Sequence, residues 1–359
     1  MTKKLWFQVG VGILLAMLII KYFMEIKGIF TPLVIVAQAI FLPLLLGGVL
    51  YYITEPIQRF LEKRKVPRWG SILTIIIGLV GVIWLVISFV GPMVTQQVNT
   101  LVDNAPKLVK EVEAMTDYAW SHKDQIPESF QESIESATAK VQSIAVGFGK
   151  WIVQFLQSFL QAVFLLVLVP FFFIFMLKDH EKLAPFIYNF FSGERREWIR
   201  KTLQDIDHAL RSYIQGQMLI SFIVGIMLLI GYSLIGLQYG LLLAIFGLFM
   251  NLIPFIGPWI SAVPAIIIGF IQEPKVGILA AVVMVVSQQI ESNLITPNVM
   301  GKSLDVHPLT VITVILAAGN IGGFLGIILA VPTYAVGKAI VKNIYERRRD
   351  IQQAATKNV

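Results

Sequence analysis

The chain has 359 residues, of which 56% are hydrophobic and 14% are charged, and its formal net charge is +7 at pH 7. Several apolar runs exceed the roughly 18 residues that indicate a membrane span, so the composition predicts an all-α polytopic membrane protein. The chain has no cysteine, which excludes disulfides, thiolate metal sites and cysteine nucleophiles. Its four histidines lie outside any HExxH pattern, and we expect neither a metal site nor a cofactor.

The apolar runs predict about eight membrane helical elements. They lie at about 5–23, 29–53, 71–94, 151–177, 213–235, 240–271, 275–296 and 309–340. Basic residues concentrate between these runs, in 54–70, in 178–212 and in the tail. The positive-inside rule therefore places these segments and both termini in the cytoplasm, and it explains the net charge better than nucleic-acid binding does. No A-x-A-like cleavage site precedes residues 21–27, so a retained first span is expected.

The segment 95–150 falls on the extracytoplasmic side and is acidic on balance. Apolar residues recur in it every seven positions, at Leu101, Leu108 and Met115 and again at Ile134, Val141 and Phe148. This spacing predicts a helical hairpin whose arms extend the flanking spans. The arms could pack only on each other, or the hairpin could form a subunit contact or a gating cap.

Two of the apolar runs are too long for one straight span. The runs 240–271 and 309–340 would each be about 48 Å long as continuous helix, against a hydrocarbon core of about 30 Å. Both are interrupted near the middle, by NLIPFIGP at 251–258 and by GNIGG at 319–323. Proline removes a backbone donor and glycine loosens a helix, so each run predicts two half-helices.

The two interruptions share the spacing N-x3-F-x-G, and each is followed by Ala-Val-Pro. This pattern indicates an internal repeat, and paired interruptions of this kind point to the binding site of a secondary transporter. We predict inverted repeats at 213–271 and 275–340, each with a broken, re-entrant hairpin; broken full spans are the alternative. The predicted units are 1–94 for the first three transmembrane helices, 95–150 for the hairpin, 151–212 for the fourth span and cytoplasmic linker helices, 213–340 for the transport core and 341–359 for the basic cytoplasmic tail.

Glu291 is the leading candidate for a functional side chain. An ionised group at bilayer depth costs about 3 kcal/mol, so such residues usually face a cavity and belong to an ion or proton path. Alternatively, Glu291 lies near the end of its span and reaches the headgroups. Gln288, Gln289 and Asn293 surround it in the sequence and predict a polar path, although polar contacts between helices would also explain them.

Polar residues occupy corresponding places in the first repeat. Gln215 and Gln217 open its first span, next to Arg211, for which anchoring at the membrane interface is favoured. Asn251 and Asn320 lie at the two interruptions, where freed carbonyls and half-helix ends can coordinate a cation or a polar solute. Capping of the broken helices is the alternative role.

No enzyme is expected from the remaining motifs. Gly301-Lys302-Ser303 resembles the end of a phosphate-binding loop, but position 296, where a Walker A motif needs glycine, is threonine. The predicted spans contain no aspartate, which excludes the paired aspartates of an intramembrane protease.

The stretch IESNLITPNVMGKSLDVHPL, together with PFIGP and GFLGIILAVP, resembles the signature of the autoinducer-2 exporter (AI-2E) family of bacterial membrane transporters. The resemblance covers essentially the whole chain and is strongest over 213–340. The break and signature positions here are Pro254, Gly257, Pro297, Gly301, His307, Pro308, Gly322 and Gly323, besides Glu291 and Asn293. Asp305 departs from the family, which more often has glycine or another uncharged residue there.

The resemblance implies a homo-oligomer in the bacterial plasma membrane, with an extended hairpin and a core that moves as an elevator. It implies either export of the quorum-sensing molecule autoinducer-2 or exchange of sodium or lithium for protons. The sequence thus predicts a proton-linked secondary transporter of a small polar solute or a monovalent cation, with Glu291 as the exchangeable acid. The alternatives are a sodium (lithium)/proton antiporter proper, an uncoupled facilitator, or a non-transporting scaffold that acts through the 95–150 hairpin.

Overall fold

A computed structural model describes residues 5–101, 103–104, 168–301 and 306–357. All the secondary structure in these ranges is helical, which confirms the all-α prediction. The helices are α1 (Leu5–Lys63), α2 (Arg68–Leu101), α3 (Leu168–Tyr188), α4 (Gly193–Leu234), α5 (Gly240–Met250), α6 (Gly257–Gln272), α7 (Pro274–Met300) and α8 (Pro308–Lys357). The predicted 95–150 hairpin lies almost entirely outside the described residues.

Four of the described helical stretches are long and apolar enough to cross a membrane: α2, α4, α7 and the Gly326–Arg349 part of α8. Shorter apolar helices accompany them, among them α5, α6 and Pro308–Phe324. The 11 residues of α5 span about 16 Å, well short of a hydrocarbon core of about 30 Å. The set of helices confirms a polytopic membrane protein.

The N-terminal region differs from the prediction. The sequence predicts separate elements at 5–23 and 29–53, but α1 is a single helix of 59 residues through both. Residues 24–28 between the two runs are Met, Glu, Ile, Lys and Gly. Met, Glu and Lys favour a helix, and a single glycine costs only about 1 kcal/mol relative to alanine. The charges therefore divide the apolar pattern without ending the helix.

The backbone has a break at each of the two predicted positions. In the first, Phe255 has a φ of 63° between α5 and α6, and in the second, Gly323 has a φ of 58° inside α8. At both breaks a glycine allows the chain to fold back closely. A Cβ on Gly257 would overlap the Met250 carbonyl oxygen, and one on Gly326 would overlap the Ala318 carbonyl oxygen. The inverted relation between 213–271 and 275–340 stays a prediction.

The helix α7 widens into a π-helical turn at Glu291–Ile295. Pro297 follows this turn, and its ring has no N–H to donate and would clash with the carbonyl four residues earlier in an ordinary helix. A wider turn relieves that clash, and turns of this kind often occur at functional sites. The helix ends at Gly301, whose φ of 54° suits a residue without a Cβ.

Most residues of the hydrophobic core lie on α4, α5, α6, α7 and α8 and their connections, and α1, α2 and α3 contribute the rest. Small residues bring these helices together: a Cβ at Gly225 of α4 would lie 2.8 Å from Leu248 of α5, and one at Gly269 of α6 would lie 2.8 Å from the Cα of Gly277 in α7. Close approach of this kind is the main source of helix packing in lipid, where apolar burial gives little driving force. On α4 the buried face carries Ile220, Val224 and Leu228, and the outward face carries Leu219, Phe222, Ile226 and Ile230.

Candidate transport site

Four of the predicted path residues meet where α4, the first break and α7 come together. Gln217 Nε2 donates to the Asn251 carbonyl oxygen at 2.6 Å, and the Asn251 side chain lies near the Glu291 carboxyl. Gln288 Nε2 donates to Glu291 Oε2 at 2.9 Å. We call Gln217, Asn251, Gln288 and Glu291 the polar cluster.

The end of α5 explains why Asn251 takes part in this cluster. The last carbonyl groups of a helix have no partner within it, and at the first break the next helix turns away. Gln217, which is buried, supplies the missing donor to the Asn251 carbonyl from α4. The Asn251 side chain is only 2% exposed, and its Nδ2 makes no hydrogen bond of good geometry to any residue that the structure describes.

Glu291 lies half-buried at the first position of the π-helical turn. Its neighbours in the cluster are amides, and the ion pairs found within the described ranges do not include it. Neutral amides can face either the charged or the protonated carboxyl, because they donate and accept hydrogen bonds. The surroundings of the carboxyl therefore suit both its charged and its protonated form. In the described part of the chain no group of three or more His, Cys, Asp or Glu could hold a metal ion.

The structure separates the other predicted path residues from this cluster. Gln289 and Asn293 are exposed and bind each other, with Asn293 Nδ2 donating to Gln289 Oε1 at 2.8 Å. Gln215 lies two positions from Gln217, a spacing that puts the two side chains on different faces of α4, and it donates to the Tyr52 carbonyl at 2.8 Å. Asn320 is exposed and donates to the Leu316 carbonyl of its own helix at 2.9 Å.

The signature residues mostly shape helix ends. His307 Nδ1 accepts from the Leu309 backbone N–H at 3.2 Å and its carbonyl accepts from Thr310 N–H at 2.9 Å, so it caps α8 with Pro308 at the first helical position. Pro254 and Gly257 form the first break, Pro297 and Gly301 follow the π-helical turn, and Gly322 and Gly323 form the second break.

A second group of polar residues, which the sequence does not predict as a site, joins α1 to α4. Its centre is Glu55, which is 2% exposed and forms ion pairs with Arg59 and, at 2.8 Å, with Arg211. Arg211 also binds Asp207 at 2.7 Å, and the Tyr52 hydroxyl donates to Asp207 at 2.9 Å. We call these residues, with Gln215, the Glu55 cluster. Arg211 thus pairs with a buried and a half-exposed carboxylate of the protein, and its anchoring at the membrane interface stays a prediction.

Helix α2 contacts the beginning of α5. Gln97 Oε1 accepts from the Leu242 backbone N–H at 3.0 Å, and Asn104 Nδ2 donates to the Tyr239 hydroxyl at 3.1 Å. These two contacts lie beside a cavity of about 380 Å³ lined partly by Gln96, Gln97 and Gln238. Because the first N–H groups of a helix lack internal partners, Gln97 caps α5 from another helix. The cavity lies at the other end of α5 from the polar cluster.

The apolar helices make this a multi-pass membrane protein. Paired breaks in apolar helices, such as those at Phe255 and Gly323, are typical of the secondary transporter class. Over residues 11–346 the chain matches the sequence model of the AI-2E family transporters. It belongs to this family, as the signature predicts, and membrane transport is its general function.

Several named proteins are similar to the chain over most of its length. The chain is 37% identical over 340 residues to "Putative transport protein YueF" of Bacillus subtilis (strain 168), covering 92% of this chain and 91% of that protein. It is 27% identical over 337 residues to "Putative transport protein YrrI" of the same organism, covering 94% and 96%. It is 26% identical over 308 residues to "Putative permease PerM" of Escherichia coli (strain K12), covering 83% and 86%.

Proposed function

We propose that this chain is a proton-linked secondary transporter in which Glu291 is the exchangeable acid. It exports a small polar signal molecule such as autoinducer-2, or exchanges a monovalent cation for protons. It works as a homo-oligomer in the bacterial plasma membrane with both termini in the cytoplasm, and the core 213–340 moves as an elevator. The observation that carries the proposal is the Glu291 carboxyl, which lies beside a broken helix with Asn251 and Gln288 around it.

The chemistry of coupling follows from this position. A carboxylate can hold a proton or a cation, and occupancy by one excludes the other, so movement of the site couples the two fluxes. The C-terminal end of α5 adds to the attraction for a cation, because the carbonyl end of a helix carries a partial negative charge. Asn251 stands at that end. These features support cation exchange as the first activity to test.

The test uses proteoliposomes that contain a pH-sensitive dye and the full-length chain. Sodium, lithium or autoinducer-2 is added outside, and the native chain is compared with Glu291→Gln. Glu273→Gln is the matched control, because Glu273 is an exposed glutamate at the turn between α6 and α7. We expect a cation-driven pH change that persists in the control and falls to the level of empty liposomes in Glu291→Gln.

Two other outcomes are informative. A cation-driven pH change that survives in Glu291→Gln would move the exchangeable acid to another residue. Flux of autoinducer-2 without any response to sodium or lithium would identify an exporter, and the role of Glu291 would then be to bind the solute.

A further inference from the structure

Ser221 of α4 is a buried hydroxyl without a hydrogen-bond partner. It is 1% exposed, and no residue that the structure describes bonds to its Oγ. Several other serine and threonine hydroxyls in the described helices bond to carbonyls of their own helix, as do Thr54 to Leu50, Thr202 to Trp198, Ser71 to Arg68 and Ser261 to Pro258. The buried hydroxyls of Tyr51 and Tyr213 are unpaired like that of Ser221. A buried hydroxyl left unpaired is rare in folded proteins and calls for a specific explanation.

Ser221 faces the end of α5, close to the polar cluster. Gln217, Ser221 and Gly225 lie on successive turns of α4 and share one face. Gln217 donates to the Asn251 carbonyl at 2.6 Å, and a Cβ on Gly225 would lie 2.8 Å from Leu248. Ser221 is therefore opposite the last turn of α5, between these two contacts. The nearby Asn251 side chain lies near the Glu291 carboxyl, and its Nδ2 makes no hydrogen bond of good geometry to a described residue.

We infer that Ser221 belongs to the transport path and that, with Asn251, it hydrogen-bonds the transported species as that species passes the first break. This inference rests on the proposed function and extends its site from α7 to α4. A hydroxyl donates and accepts, and an amide Nδ2 donates, so the pair fits an oxygen atom. That oxygen can belong to a hydroxylated solute or to a water molecule carried with a cation.

Contact between helices is the other common role of a buried serine in a membrane bundle. A serine can fill that role by close packing alone or by a hydrogen bond to the neighbouring helix, and Ser221 makes no such bond to the described residues. Ser261 of α6 is equally buried, at 2% exposed, and its Oγ donates to the Pro258 carbonyl at 2.9 Å. The two serines thus differ in hydrogen bonding and not in burial, which makes Ser261 a matched control.

The test exploits the absence of cysteine from the chain, since a single introduced thiol is then labelled selectively. Full-length Ser221→Cys and Ser261→Cys are reconstituted in proteoliposomes and treated with a small methanethiosulfonate reagent under an inward sodium gradient, a lithium gradient or none. Labelling is read by mass spectrometry. We expect Ser221→Cys to be labelled faster than Ser261→Cys, with a further increase under the gradient that drives flux, and labelled protein to lose transport.

Equal labelling of the two variants, or labelled Ser221→Cys protein that still transports, would overturn the inference. Since labelling is measured without reference to flux, a chain that moves neither ions nor autoinducer-2 would disprove the proposed function, and the labelling of Ser221→Cys would still be measured.

Ser221→Ala provides a check that needs no thiol. It should keep its thermal stability while the concentration for half-maximal flux rises; unchanged flux parameters would contradict the inference. If the concentration for half-maximal flux rises with sodium, the oxygen belongs to a water molecule carried with the cation. If it rises only with autoinducer-2, the oxygen is a hydroxyl of the solute.

Discussion

Replacing Gly257 by alanine is expected to destabilise the protein and to open the first helix break. The new Cβ would overlap the carbonyl oxygen of Met250 and lie 2.6 Å from its carbonyl carbon. Both atoms belong to the backbone, so no side chain can rotate away, and α5 and α6 must separate. Overpacking of a well-packed interior costs about 1–3 kcal/mol and occasionally more. We expect the upper end of this range, because the displaced atoms also position Asn251.

The measurement is the midpoint of thermal unfolding of the purified chain, together with flux in proteoliposomes. Gly322→Ala is the control, since Gly322 lies in the second break with nothing within 4 Å of an added Cβ. The Gly257→Ala variant should lose both stability and flux, and Gly322→Ala should keep its stability. If the two variants unfold at the same temperature, the close approach at Gly257 does not hold the break together.

Local chemistry explains why the sequence predicts the breaks. Proline and glycine act on the backbone at their own positions, so NLIPFIGP and GNIGG mark the ends of half-helices without any knowledge of packing. The spacing of three between Gln288 and Glu291 likewise predicts a shared face, and their side chains bond at 2.9 Å. These features require only the periodicity of one helix.

The parts of the site that depend on the packing of distant helices are not predictable in the same way. Gln289 and Asn293 lie in the same polar stretch as Glu291, yet they are exposed, because the π-helical turn and the contact with α4 decide which side of α7 faces inward. Glu55 is a sharper example. Its partner Gln215 is 160 positions away, and an acid just after an apolar run normally indicates only the end of a span.

The Glu55 cluster provides the second prediction of a large effect, in the variant Arg211→Met. The Glu55 side chain is 3% exposed and the Arg211 side chain 21% exposed, so this ion pair lies largely away from water. Removing one partner of a buried pair costs about 3–5 kcal/mol, because the other charge stays buried without compensation. Arg59 also pairs with Glu55, but its side chain is 57% exposed. We therefore expect a loss of about 3 kcal/mol at neutral pH.

The loss should depend on pH in a defined direction. Burial raises the pKa of the Glu55 carboxyl, and the Arg59 guanidinium opposes that rise. Removing the positive charge of Arg211 raises this pKa further. A carboxyl whose pKa is higher in the folded than in the unfolded chain favours folding when protonated, and this contribution disappears as the pH rises through the folded pKa. The destabilisation by Arg211→Met should therefore be full at neutral pH and shrink as the solution is acidified.

The coupling between Arg211 and Glu55 is measured by a double-mutant cycle. Thermal unfolding is followed at neutral and at acidic pH for the native chain, Arg211→Met, Glu55→Gln and the double variant. The double variant should recover most of the stability that Arg211→Met loses, because it no longer buries an uncompensated charge. Arg200→Met is the matched control: Arg200 and Glu197 are 3.9 Å apart with side chains 52% and 70% exposed, and such pairs contribute about 0–1 kcal/mol. A double variant as unstable as Arg211→Met would show that Arg211 stabilises α4 through Asp207 instead, and would locate the link between α1 and α4 in Tyr52 and Gln215.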